Sequence, residues 1–474
     1  MSAVLDKRPI SVLLARRGLP FVSLAVIGLV AWRAALSVPP AGLDMAAWHA
    51  LVVFALCLVL WVSRLLPLAV TAILGLALLP MLSVLPASQT FAMFGSPAIF
   101  FILGAFMLAA GVMESGLSEH LALSLMECVG ASPARLLLVM LLLPALLAAV
   151  MPEHAVAAVL LPLAWEVVRT LDLRPGDRFA QALFLALAWG AIIGGVATLL
   201  GGARGPLAMA LMQELTGRAF SFAQWSLAAL PMVLTLLLVG ALVLLRAAPT
   251  GGLDMQAVVD RMERRRLELG RLGWRGRVMA VLLVGTVAAW MSAGHAVGLA
   301  SIALISVSLM FALRLVDWRA IQSWVNWDVI LLYGGAIAVG KAVAVTGAGA
   351  WLAQVLLPDG TNGLGLVLLL ALVTLLLTEG VSNAAAVAIM MPVAIPAAQA
   401  AGVDAMAASL TVGIVAGFAF MLPMGTPPNA MIFGTGYVRA GAMLRFGALM
   451  SLAALGCFAI AARFWWPMLD LGVK

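Results

Sequence analysis

The chain has 474 residues, of which 65% are hydrophobic and only 10% charged. That balance excludes a soluble globular domain. Apolar runs of about twenty residues, each long enough to cross the hydrocarbon core, recur along the whole length and predict an all-α polytopic membrane protein. The formal net charge of +7 is not the mark of a nucleic-acid binder. The basic residues sit in segments flanking the apolar runs, as the positive-inside rule expects. Cys57, Cys128 and Cys457 lie scattered, with neither a disulfide framework nor metal-ligand spacing.

In chain order, a basic start (Lys7, Arg8, Arg16, Arg17) precedes a first span over 19–38, read as a retained helix. Arg33, near its end, can snorkel to the headgroups. Further spans are predicted over 46–62, 67–85 and 96–112, then an amphipathic surface piece over 118–129. The run 135–169 is broken at Met151-Pro152-Glu153-His154, a pattern that suits a re-entrant helical hairpin with a polar tip. A span over 179–200 ends in a second break, Gly201-Gly202-Ala203-Arg204-Gly205-Pro206, and 226–245 closes the first half. The most charged stretch, 250–277, carries Arg261, Arg264, Arg265, Arg266, Arg271 and Arg275. It places itself and the N-terminus on the cytoplasmic side. Two readings stand: a surface helix laying Val258, Met262 and Leu269 on the membrane, or a solvated linker. The pattern then restarts, with spans over 279–291, 297–313 and 329–345, a surface piece over 349–357, a second broken hairpin over 364–400, a broken span over 406–437 and a last span over 446–465.

An internal repeat supports this order. Gly104, Ala105, Gly116, Leu121 and Ala122 match Gly335, Ala336, Gly347, Leu352 and Ala353 at one constant offset. Pro162 and Pro392 follow Pro152 and Ser382 at equal distances. Two inverted repeats with about eleven spans and two re-entrant hairpins follow, the first hairpin entering from the cytoplasm and the second from the periplasm. The expected divisions are 1–45, tail and first helix; 46–247, first repeat; 248–277, basic linker; and 278–474, second repeat.

Two stretches organise the rest: 377–392 (LTEGVSNAAAVAIMMP) and 418–436 (FAFMLPMGTPPNAMIFGTG). Each sets irregular, polar backbone inside an apolar run, which hydrocarbon tolerates only where protein or a water-filled cavity lines it. Ser382-Asn383 and Gly425-Thr426-Pro427-Pro428-Asn429 are such breaks. Pro427 and Pro428 lack the N–H that continues a helix, and Gly425 permits a sharp bend. Two broken segments at membrane depth read as the ion and substrate site of a secondary transporter.

This pair of motifs, with Phe418-x-x-x-Leu422-Pro423 before the second, resembles the divalent anion:sodium symporter family, and the resemblance runs from about Ala46 to Trp466. The resemblance implies a carrier of dicarboxylates, tricarboxylates or sulfate. It also implies a homodimer whose transport domains rise and fall against a fixed scaffold in the bacterial inner membrane. By position it puts one sodium site on Thr378, Val381, Asn383 and Gly425, and the anion beside Ser382, Asn383, residue 384 and Thr426. Helix N-termini there favour an anion. Where the family usually has Thr, this chain has Ala384, so one hydroxyl is missing.

The first half departs further. Pro152-Glu153-His154 stands where the resemblance implies Ser-Asn-Thr, and Gly201-Gly202-Ala203-Arg204-Gly205 stands in place of the second motif. Neutral oxygens have given way to an acid, an imidazole and a guanidinium. Such charges must pair or titrate in hydrocarbon. Four roles stay open. Glu153 holds a cation; Glu153 or His154 carries a proton; Arg204 replaces the first sodium and binds the anion; or Glu153 and Arg204 only lock the hairpin tip to the facing break.

Elsewhere, Lys341 is expected to be structural near a helix end and Glu379 to orient the second tip by accepting N–H bonds. Glu114 and Glu166 are expected at the interface. His49 and His295 read as structural, and His120 belongs to the surface piece. Most of the tryptophans fall near span ends, where an aromatic belt accounts for them, and the methionines fill helix gaps. The function expected is secondary transport of a small anion coupled to sodium, with protons as a second candidate coupling ion, and with no cofactor. The alternatives are an uncoupled exchanger or permease on the same fold and, remotely, a membrane-embedded enzyme with Glu153 and His154 as acid and base.

Overall fold

The computed structural model describes residues 10–126, 130, 132–248, 252–356 and 363–471. Cys128 and the ends of both surface pieces, near 129 and 357, lie outside them, as do Lys7 and Arg8 and the side chains of Arg16 and Arg17.

The first half runs through α1 (Ile10–Ala35), α2 (Met45–Ser63), α3 (Leu68–Met81), the short α4 (Ala87–Ala92) and α5 (Pro97–Glu114). It continues with α6 (Leu117–Met126), α7 (Pro133–Ala148), α8 (Glu153–Thr170), α9 (Arg178–Gly194), α10 (Arg204–Thr216) and α11 (Phe222–Ala247). The linker helix α12 (Met255–Leu269) follows. The second half is α13 (Trp274–Val297), α14 (Leu299–Ala312), α15 (Trp318–Trp324), α16 (Trp327–Val345) and α17 (Ala348–Leu356), then α18 (Gly363–Gly380), α19 (Asn383–Ala400), α20 (Ala405–Val415), α21 (Pro427–Gly434) and α22 (Ala440–Ile460). Among the described residues, eight helical segments are long and apolar enough to cross a membrane, and six shorter apolar helices accompany them. The expected figure of about eleven spans is not reached by length and composition alone.

The order α2–α11 recurs as α13–α22, and the halves exchange contacts. α3 packs along α16, and α14 packs along α5. The repeated glycines lie at these crossings. A Cβ on Gly104 would sit 2.7 Å from the Ala303 Cβ of α14, and one on Gly335 would sit 2.5 Å from the Ala72 carbonyl oxygen of α3. Close helix approach through a missing side chain is the interface chemistry that hydrocarbon favours.

Three expectations need correction. The break after α9 covers 195–203, beginning before Gly201, and Arg204 is the first residue of the next helix. Likewise Pro427 and Pro428 open α21 in its first turn, where a missing N–H costs nothing. The irregular backbone is 416–426. The aromatic belt also explains only some tryptophans: Trp61, Trp189, Trp225, Trp290 and Trp466 are fully buried.

The linker is a docked helix. Met255, Val258 and Met262 are buried, whereas Leu269 is half-exposed. Arg265 reaches Glu119 of α6 at 3.2 Å and Glu166 of α8 at 2.6 Å, and Arg261 also pairs with Glu166. Burial works against the Arg265 charge, but its bonds to the two carboxylates outweigh that and raise its pKa above the ordinary value. Glu166→Gln is expected to cost no more than about 1 kcal/mol in global stability, because these pairs are partly solvated. It should nevertheless speed limited tryptic cleavage within α12 severalfold; unchanged cleavage would show that the apolar face alone holds the helix.

Candidate functional site

Each hairpin tip meets the break of its own half. In the first half the Glu153 N–H donates to the Gly201 carbonyl at 2.9 Å, and the Thr198 hydroxyl donates to the Ala149 carbonyl at 2.6 Å. The Tyr333 hydroxyl of α16 donates to the Ala203 carbonyl, and the Trp225 indole donates to Val196 O at 2.9 Å. In the second half Glu379 does the corresponding work. Its carboxylate accepts from the N–H groups of Phe420, Met421 and Leu422 and from the Ser451 hydroxyl, at 2.8 to 3.1 Å. Orienting the tip through N–H acceptance, as read from the sequence, is what this geometry does. It accounts for three backbone donors that hydrocarbon would leave unpaired.

At the hairpin tips three side chains connect the two halves. Glu153 and Asn383 are corresponding residues, each the first of its hairpin's second helix. Glu153 Oε2 accepts from Arg204 Nη1 at 3.0 Å, and its Oε1 accepts from Asn383 Nδ2 at 3.3 Å. Asn383 Oδ1 in turn accepts from the Thr378 hydroxyl at 3.0 Å. Glu153, Arg204 and Asn383 are 4%, 2% and 8% exposed, so the cluster is closed to solvent. Arg204 Nε and Nη2 are buried without a hydrogen-bond partner. Two glycines make room for the guanidinium: a Cβ on Gly417 would lie 2.5 Å from Arg204 Nε, and one on Gly202 would lie 2.7 Å from Nη1. Gly417 belongs to the second-half break, so Arg204 extends from one break to the other. Nothing in the sequence singled out Gly417, which sits among apolar residues. Gly417→Ala is expected to displace the guanidinium and cost about 1–3 kcal/mol by overpacking, read as a thermal shift. Gly441→Ala, with nothing within 4 Å, is the near-neutral control.

The other expected site residues fall as follows. Thr378 is fully buried, and its Oγ1 lies 2.7 Å from the Ala416 carbonyl as well as 3.0 Å from Asn383 Oδ1, two acceptors for one hydroxyl proton. Three oxygens, Thr378 Oγ1, Asn383 Oδ1 and Ala416 O, therefore lie together, a donor set that suits a small hard cation. Gly425 backs onto the same turn, its ideal Cβ 3.3 Å from the Thr378 carbonyl oxygen, and Val381 is the buried turn residue between Thr378 and Asn383. Ser382 and Thr426 cap α19 and α21, accepting from Ala385 N and Asn429 N. Ala384 is buried in the first turn of α19. His154 is not brought into the Glu153–Arg204–Asn383 cluster. Its ring lies edge-on to Phe106 of α5, centroids 6.4 Å apart, because the helical twist turns residue 154 away from residue 153. Asn429 lies fully buried, with Nδ2 donating to Ala419 O and Leu422 O and Oδ1 unpartnered. Lys341 is tied to Glu214 at 3.0 Å, Glu114 accepts from the Trp324 indole, and His49 bridges the Leu82 and Ala35 carbonyls.

A model of the sodium:sulfate symporter transmembrane region matches residues 19–471. The chain belongs to the divalent anion:sodium symporter family. Members of this family are transporters, and the chain is not an enzyme. Among its relatives is a sodium-dependent dicarboxylate transporter, SdcS, of Staphylococcus saprophyticus, 28% identical over 435 residues, 86% of this chain and 84% of the relative. An uncharacterised transporter of Haemophilus influenzae is 28% identical over 436 residues, covering 88% and 91%. Among solved structures, MtrF of Neisseria gonorrhoeae superposes with a TM-score of 0.59 at 16% identity over 79% of this chain and 83% of that one. The YdaH transporter of Alcanivorax borkumensis gives 0.54 at 16% identity, covering 82% and 88%. At that identity these two speak for this chain's fold alone.

Proposed function

We propose that this symporter is a secondary active carrier of a small anion, a dicarboxylate, sulfate or a related species, coupled to one sodium ion at the second-half site. The sodium dependence of the SdcS relatives supports the ion. The oxygen set around Thr378 and Asn383 supports where it sits. The observation that carries the reading of the first half is the Glu153–Arg204 pair. A resident guanidinium lies where the resemblance implies a first sodium, and its two unpartnered N–H groups are donors for an arriving anion. Transport by an elevator movement of the hairpins and broken helices, in a homodimer in the inner membrane with the N-terminus cytoplasmic, completes the proposal. His154, away from the cluster, has no part in it.

Uptake of labelled succinate, citrate and sulfate into proteoliposomes, with imposed sodium or proton gradients, tests this. The expected result is accumulation that requires sodium with a Hill coefficient near one. A coefficient near two, or accumulation driven by protons alone, would overturn it. A second reading, anion exchange without net ion coupling, is favoured by the same filled first site. It requires counterflow in the absence of sodium.

A further inference from the structure

The geometry points to a binding site for a phospholipid with an anionic, hydroxyl-bearing headgroup, away from the cluster described above. Arg178 at the start of α9, Arg246 in the last turn of α11, and Arg439 and Arg445 at the start of α22 line one cavity of about 880 Å³. No carboxylate lines it. Among the described residues, none of the four arginines forms an ion pair, whereas Arg261 and Arg265 of the linker are both paired. Membrane orientation requires basic residues beside the spans; it does not require four of them, from three helices, to face one space.

Two further observations identify the occupant. Gln181, 8% exposed and lining the cavity, donates through Nε2 to the Gly176 carbonyl at 2.7 Å, which leaves Oε1 buried and unpartnered. Trp189, lining the same cavity, is fully buried with its indole N–H unpartnered. Arg178, Gln181, Leu185 and Trp189 follow one face of α9, so the cavity descends about 16 Å from its basic mouth. Its deeper wall is apolar, formed by Leu185, Val239, Val243 and Leu449. A soluble anion would satisfy the arginines and leave the rest empty. A glycerol-type phospholipid matches this order: headgroup hydroxyl on Gln181 Oε1, which the bond to Gly176 folds back towards the mouth, phosphate on the arginines, ester carbonyl on the deeper Trp189 N–H, and acyl chain along the aliphatic wall.

Native mass spectrometry of the full-length protein in detergent, titrated with phosphatidylglycerol, phosphatidic acid or phosphatidylcholine, tests the assignment. Phosphatidylglycerol should bind most tightly. Its affinity should fall about fivefold for each arginine removed in Arg178→Gln/Arg445→Gln, checked as monodisperse, and recover in Arg178→Lys/Arg445→Lys. Gln181→Leu should remove the preference over phosphatidic acid. Equal retention of phosphatidylcholine, or affinity indifferent to both substitutions, would overturn the site. Displacement of the lipid by millimolar inorganic phosphate would overturn the choice of occupant in favour of a soluble anion.

Discussion

Arg204→Met is expected to stop uptake and destabilise the fold together. The substitution leaves Glu153 as an uncompensated carboxylate, 4% exposed, between two helical tips. Removing one partner of a buried pair costs about 3–5 kcal/mol, enough to lower the unfolding midpoint in detergent by several degrees. The companion variant Glu153→Gln/Arg204→Met separates the two effects. With no charge left to desolvate, it should regain most of the lost stability, while uptake stays absent because the N–H donors facing the anion are gone. If Arg204→Met keeps wild-type uptake, the guanidinium has no role in transport. If the double variant transports normally, the pair is only a strut.

Glu379→Ala is expected to have an effect at least as large on stability, through the backbone. Three consecutive N–H groups at Phe420, Met421 and Leu422 end on this one carboxylate. Losing a buried acceptor costs roughly 1–3 kcal/mol per donor left unpaired, so the break before α21 should loosen as a unit. Hydrogen exchange of those three amides reports it directly. They should pass from slow to fast in Glu379→Ala while the α9 amides stay protected. Ser451→Ala removes only one of the partners of Glu379 and should leave the three amides slow. Equally slow exchange in both variants would mean that the break is held by packing instead.

The parts of this molecule that were legible in the sequence are those with a local cause. Pro152 marks the first tip because it lacks the N–H that continues a helix, and Ser382-Asn383 marks the second because these residues favour helix caps. Gly201 and Gly202 in the first break and Gly425 in the second mark irregular backbone because glycine permits sharp bends. Glu379 beside a tip, in an apolar run, read as an acceptor of N–H bonds in preference to a direct cation ligand. The boundaries were less legible. A Pro-rich motif reads as the break itself, yet Pro427 and Pro428 start the helix that follows it, and Arg204 likewise begins a helix. What joins the halves left almost no local trace. The Glu153–Asn383 bond becomes visible only once the repeat aligns the two residues, and neither the room that Gly417 makes for Arg204 nor the turning of His154 towards Phe106 has a signature along the chain. Arg178, Arg246, Arg439 and Arg445 each read as an ordinary flanking charge until folding brings them to one cavity.

The guanidinium of Arg204 is bonded to the chain and cannot travel as cargo, and this has an energetic consequence for direction. Under the proposed stoichiometry, one sodium entering with one divalent anion carries a net negative charge inward. Against an inside-negative voltage of 100 mV that entry costs about 2.3 kcal/mol, while a tenfold sodium gradient returns only about 1.4 kcal/mol. At those values a doubly charged solute falls about 0.9 kcal/mol short, so under that voltage it enters only down its own gradient of about fivefold or more, or in exchange for another anion. A singly charged one would cross with no electrical work at all.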